Sequence, residues 1–143
     1  MGRHELQRGS VIRRVLIIGA GGIGLRHLKG YTQTGRAALS IVEPDPKKRA
    51  DAIQNFDISH SYSDIGDADL TSFDLAVICA PAHMHIPLMN ACVAANLPFM
   101  VEKPLTVTLD GVRETLAQVR SNGLLARVGV TRRVADELQQ LRA

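Results

Sequence analysis

Tryptophan is absent from this 143-residue chain, and two tyrosines and three phenylalanines supply all its aromatic rings. That scarcity argues against a surface that reads single-stranded nucleic acid by stacking bases on rings. Cysteine is scarce too. Cys79 and Cys92 match no C-x-x-C or zinc spacing, lie in apolar segments and read as small buried core residues, which suits a reducing cytoplasm. No apolar stretch reaches membrane-spanning length, and residues 1–10 lack the apolar centre of a signal peptide. They are polar and are expected to form a flexible leader. A field of one charge sign is also missing. The formal net charge is +3, and Arg13-Arg14, Lys47-Lys48-Arg49 and Arg132-Arg133 are short scattered clusters, better read as solvated faces than as a nucleic-acid stripe. Neither nucleic acid nor membrane is expected as a partner.

What is present is a series of short, continuous, β-branched-rich apolar runs: Val15–Ile18, Ala38–Val42, Leu75–Cys79, Phe99–Val101 and Leu124–Val130. Continuous runs suit strands buried on both faces of a parallel sheet. Helical patterns lie between most of them. Asp45-Pro46 reads as an N-cap followed by proline at the first helical position. Pro87 can start a second helix through Leu88, Met89, Cys92 and Val93, with Asn96 ending it in the left-handed conformation. Thr108 is expected to cap a helix whose Leu109, Val112, Leu116 and Val119 face the sheet, stopped by Ser121-Asn122-Gly123. The polar stretch Ile58 to Asp69 holds at most a short strand and one helical turn. The alternation predicts one α/β domain over 11–130, a Rossmann-type doubly wound and mainly parallel sheet of about six strands with helices on both faces.

The first run leads into Gly19-Ala20-Gly21-Gly22-Ile23-Gly24 and then into a helical segment. In such a turn the first glycine permits the bend, the second lets the backbone approach a pyrophosphate, and the third lets helix and strand pack closely. The helix start then offers free N–H groups and a partial positive charge. Glu43 closes the second run, at close to the spacing of about 20 residues expected between this turn and a ribose-binding acid. Together they predict a dinucleotide site over Gly19 to Gly24. A carboxylate that accepts from the ribose hydroxyls repels a 2′-phosphate, so NAD is favoured; Lys47 and Lys48 lie near enough to soften that repulsion, and NADP stays open.

Two further strand ends carry suggestive residues. After the fourth strand come Ala80-Pro81-Ala82-His83-Met84-His85. No third ligand of suitable type lies close in sequence, so no metal is expected there. His83 reads as a solvent-facing loop residue. His85 is either a helix-start residue packing on the loop or a cofactor contact. After the fifth strand come Glu102-Lys103-Pro104. Neighbours on a strand point to opposite faces, so one of the charged pair can face the cofactor while the other supports the loop. Pro104 restricts Lys103 to an extended backbone. A lysine held near a substrate hydroxyl can polarise it or relay its proton. The plainer alternative is a surface ion pair.

With these residues assembled, the chain resembles the Gfo/Idh/MocA oxidoreductase family from about Arg13 to about Leu141. The resemblance rests on Gly19 to Gly24 with Arg26-His27, on Glu43-Pro44-Asp45-Pro46, on Pro81 to His85 and, most discriminating, on Glu102-Lys103-Pro104-Leu105. Gly129-Val130-Thr131-Arg132-Arg133 also looks like the family's segment at the end of the sixth strand. The resemblance implies that Gly19, Ala20, Gly21, Gly22, Ile23 and Gly24 hold the pyrophosphate and that Glu43 takes the adenosine ribose. It implies that Ala80, Pro81 and His85 border the nicotinamide half, and that Glu102 and Lys103 sit at the nicotinamide and substrate, with Lys103 catalytic. Ala80 stands where the family often has threonine. The implied activity is hydride transfer between nicotinamide and a sugar, cyclitol or related polyol. Family members are usually more than twice this length, with a second domain that supplies most substrate contacts and often the oligomer interface. Residues 131–143 are expected to be its helical start. A stand-alone NAD-binding module without turnover is the competing reading.

Overall fold

The computed structural model describes residues 11–130. The flexible leader expected over 1–10 and the helical start expected over 131–143 lie outside the described residues.

Six strands form one sheet: β1 (Arg13–Ile18), β2 (Ala37–Val42), β3 (Ile58–Tyr62), β4 (Leu75–Ile78), β5 (Phe99–Glu102) and β6 (Ala126–Gly129). Their order is β3-β2-β1-β4-β5-β6, and every neighbouring pair is parallel. The helices are α1 (Gly22–Thr34), α2 (Pro46–Asn55), α3 (His85–Ala94) and α4 (Val112–Ser121). The continuous apolar runs are buried on both faces because the side-chain period of a strand is two. Leu16, Ile18, Ala76 and Ile78 enter one core with Leu88, Met89 and Cys92 of α3. Val15, Ile17, Ile41 and Val77 enter the other with Leu28 of α1 and Ala52 of α2. This is the Rossmann-type doubly wound architecture, with helices on both faces of a parallel sheet.

Local signals placed several boundaries. Asp45 caps α2 by accepting the N–H groups of Lys47 and Lys48 at 2.8 and 3.3 Å, with Pro46 in the first turn. Those bonds to the ionised form hold the Asp45 carboxyl below the usual carboxylate range. Asn96 has φ 51° just beyond α3, where the Leu97 N–H returns to the Cys92 carbonyl at 2.9 Å. The helix around Pro87 begins two residues earlier, at His85. Pro87 is tolerated there because N–H groups of a first turn have no helical acceptor.

The last helix departs from expectation. Thr108 does not cap it; the Thr108 hydroxyl instead accepts the Asp110 N–H at 3.4 Å. Gly111 adopts φ 74° and interrupts the backbone, so α4 starts only at Val112. Leu109 falls before that break and is 86% exposed rather than facing the sheet, and Leu116 is also exposed. Thr115 turns inward and donates to Asn90 Oδ1 at 2.7 Å, tying α4 to α3. The sixth strand is shorter than its apolar run, because its partner β5 offers pairing only over Phe99–Glu102. The stretch Ile58 to Asp69 supplies β3 and one single turn of 3-10 helix, Ile65–Asp67, with another following at Leu70–Ser72.

Candidate cofactor-binding site

The strand order reverses at β1: the chain leaves it toward β2 on one side and returns to β4 on the other. A cleft opens beyond the carboxyl ends of strands at such a point. Here it measures about 590 Å³ and is lined by the ends of β1, β2 and β4, the start of α1, and residues Ser63 to Ile65 after β3.

The glycine turn forms one wall. Gly19 has φ +100°, and a Cβ there would lie 2.9 Å from the Ala80 nitrogen and the Cys79 carbonyl carbon. A Cβ on Gly24 would collide with the carbonyl oxygen of Gly19, so its absence lets α1 sit against the turn. Gly21 precedes α1 with no side-chain cap, and a Cβ on Gly21 or Gly22 would meet nothing within 4 Å. The helix therefore presents its unpaired N–H groups and the positive end of its dipole to open space. That is an anion site in the physical sense.

Glu43 forms the adjoining wall. It is 6% exposed. Its Oε2 accepts the Ala20 N–H at 2.7 Å and its Oε1 accepts the Asp45 N–H at 2.9 Å. A carboxylate has about four acceptor sites, so two bonds leave room for two more. Lys48 lines the same cleft, opposite in charge to Glu43.

Of the residues singled out in the sequence, Gly19, Gly21, Gly22, Ile23, Glu43, Ala80 and Pro81 line this cleft together. Ala20 and Gly24 stand behind it: the Ala20 N–H is taken by Glu43, and Gly24 serves the packing of α1. His85 is 1% exposed, with Nε2 2.8 Å from the Ala80 carbonyl and Nδ1 3.1 Å from the Leu105 carbonyl. Both partners are acceptors, so the ring serves them as a donor, one when neutral and both when protonated. His85 thereby links the loops after β4 and β5. Glu102 ends β5 and Lys103 follows it, both outside the lining of the cleft. Glu102 is buried against His27 of α1, Oε1 to Nε2 at 2.7 Å, and Lys103 is exposed, followed by a cis peptide to Pro104.

The sequence reading left out Ser63, Asp64 and Ile65, which lie in its least patterned stretch. Met84, between the two histidines of the loop after β4, lines the cleft too. Among the described residues, no three His, Cys, Asp or Glu side chains come together as metal ligands, and no helix is long and apolar enough to cross a membrane.

Comparison with known proteins agrees with this geometry. The model of an oxidoreductase family with an NAD-binding Rossmann fold matches residues 13–130. A 4-carboxy-2-hydroxymuconate-6-semialdehyde dehydrogenase from a Sphingobium strain is 29% identical over 122 residues, 84% of this chain and 39% of that protein. An inositol 2-dehydrogenase from Leifsonia xyli is 32% identical over 133 residues, 90% of this chain and 39% of that protein. The solved scyllo-inositol dehydrogenase from Lactobacillus casei, with NAD(H) and scyllo-inositol bound, shares the fold with a TM-score of 0.83 at 20% identity, covering 92% of this chain and 40% of that one. The chain thus spans about two fifths of the length of the relatives it matches. It belongs to the Gfo/Idh/MocA oxidoreductase family, and residues 13–130 are its NAD-binding Rossmann domain.

Proposed function

We propose that this domain holds NAD across the cleft and serves an oxidoreductase acting on a sugar, cyclitol or related polyol. One observation carries the reading: the bare start of α1 and the Glu43 carboxylate line a single cleft at the switch point of the sheet. Gly19 to Gly24 would hold the pyrophosphate through the N–H groups at the helix start. Glu43, with two acceptor sites free, would take the adenosine ribose hydroxyls. Its charge disfavours a 2′-phosphate, and Lys48 on the same cleft reduces the penalty, so the preference is for NAD with NADP as a weaker ligand. Ala80 and Pro81 would border the nicotinamide half.

The cofactor supplies the hydride chemistry when bound, and the protein supplies placement and electrostatics. Lys103 is the residue assigned to the substrate. An ammonium near a substrate hydroxyl stabilises charge building on that oxygen and can pass a proton to or from it. The substrate class is supported by the inositol 2-dehydrogenases among the relatives. A homo-oligomer in a longer form and a reducing, cytoplasmic setting belong to the same reading, the latter supported by two unpaired cysteines.

The test is titration of the purified chain with NADH and NADPH by nicotinamide fluorescence, followed by a turnover assay over a panel of polyols and their ketones. Saturable binding with NADH preferred is expected. No binding of either nucleotide overturns the proposal. Binding without turnover on any substrate favours the module reading for these 143 residues.

A further inference from the structure

Glu102 is a carboxylate with no wall on the cleft, 8% exposed, at the end of a central strand. Burying a charge there is costly unless it is paired and hydrogen-bonded. Two donors meet that need, and a third element leaves the room. The His27 ring, in the second turn of α1, donates from Nε2 to Oε1 at 2.7 Å. The Lys103 N–H donates to Oε2 at 3.3 Å. Gly129 of β6 sits opposite Glu102 in register, and a Cβ there would come within 3.0 Å of Oε1 and 3.2 Å of the carboxyl carbon. The carboxyl group is therefore fixed between a donor on α1, the next N–H of its own chain and a gap left on β6.

We propose that His27 is a positioning residue for Lys103, acting through the Glu102 carboxylate, with Gly129 providing the space in which that carboxylate lies. The helix whose start faces the cofactor and the strand end that carries the lysine are held as one piece. The distance in sequence is large, 75 residues between His27 and Glu102, so no local rule of turn or cap produces this contact. The proposal rests on the reading that Lys103 works at the substrate, and it is tested by a measurement that needs neither cofactor nor substrate.

Amide hydrogen exchange, resolved by residue in the full chain, is the measurement. His27→Ala is expected to speed exchange at the Lys103 amide about tenfold while the β1 and β4 amides keep their protection. His27→Gln, whose side-chain amide can still donate to the carboxylate, is expected to restore most of the protection. Gly129→Ala, with His27 in place, is expected to reproduce the loosening by displacing the carboxylate. An unchanged Lys103 amide in His27→Ala overturns the proposal. So does failure of His27→Gln to rescue, or a uniform rise across the whole sheet in all three variants. The role of the lysine is read separately, from turnover by Lys103→Ala. A variant with unaltered turnover would remove the catalytic reading and leave the brace standing as measured.

Discussion

Glu43 Oε2 accepts the N–H of Ala20 at 2.7 Å, which joins the acid at the end of β2 to the glycine turn after β1. The two halves of the dinucleotide signature are thus one hydrogen-bonded unit before any ligand arrives. Glu43 also receives the Asp45 N–H, so the same carboxylate orders the entry to α2. A residue expected to bind a ribose holds the glycine turn in shape as well.

Glu43→Ala should therefore do two things. It leaves the buried Ala20 N–H without an acceptor, at a cost of about 1–3 kcal/mol, measurable by denaturant unfolding. It should also weaken NADH by about tenfold, roughly the worth of one good hydrogen bond, and narrow the gap between NADH and NADPH. An unchanged ratio of the two affinities would place the ribose elsewhere.

Gly24→Ala and Gly21→Val separate packing from binding. The added Cβ at Gly24 collides with a backbone carbonyl, and such overpacking costs about 1–3 kcal/mol or more. Gly21 has an extended backbone, φ −72° and ψ −170°, with open space around it. A valine there should change stability by less than about 1 kcal/mol while projecting into the approach of the phosphates. Thermal melts should lower only the first variant, and NADH titration should show a clear loss in the second. Native affinity in Gly21→Val would contradict the placement of the turn.

Burial pushes both thiols up to about 12, with the nearby Glu102 charge adding to the effect at Cys79. At pH 8 the thiolate fraction should be down roughly 1000-fold from an unperturbed cysteine. Labelling with a thiol-specific disulfide reagent should be slow for the native chain and immediate in denaturant. A fast native phase of one thiol would mean that Cys79, the less buried of the two, is open to solvent.

Asp74 accepts the Arg14 N–H at 2.7 Å and the Arg14 guanidinium at 3.3 Å, which holds its carboxyl below the usual range. A depressed folded pKa contributes stability that is fully present above the unfolded value, about 3.9. That contribution is lost as pH falls through the folded value. Urea midpoints measured from pH 7 down to pH 2 should fall in that acid window, and Asp74→Asn should flatten the fall. The Asp45 cap acts with the same sign, so Asp45→Asn combined with Asp74→Asn should flatten it further.

What the chain spelled out locally proved readable. A glycine turn after an apolar run, Asp45 before Pro46, and Asn96 after α3 each depend on a few adjacent backbone angles, so residue type and spacing suffice. The last helix shows where that reasoning stops. Leu109, Val112, Leu116 and Val119 keep a helical spacing, but a left-handed Gly111 between the first and second ends the pattern, and only the backbone reveals it. His85 could be narrowed to two roles from its position. The Ala80 and Leu105 carbonyls on either side of its ring come together only in the fold.

The parallel α/β class, the two buried faces and the kinship of the domain were thus legible in the sequence alone, because period-two burial and turn chemistry act over short range. The tertiary structure decided the order of the strands and which donors the buried carboxylates meet. Glu43 finds Ala20 across 23 residues and Glu102 finds His27 across 75. Such pairs form only when the fold brings strand ends, the turn after β1 and the first helix together at one edge of the sheet, where a buried carboxylate must take whatever donors lie beside it.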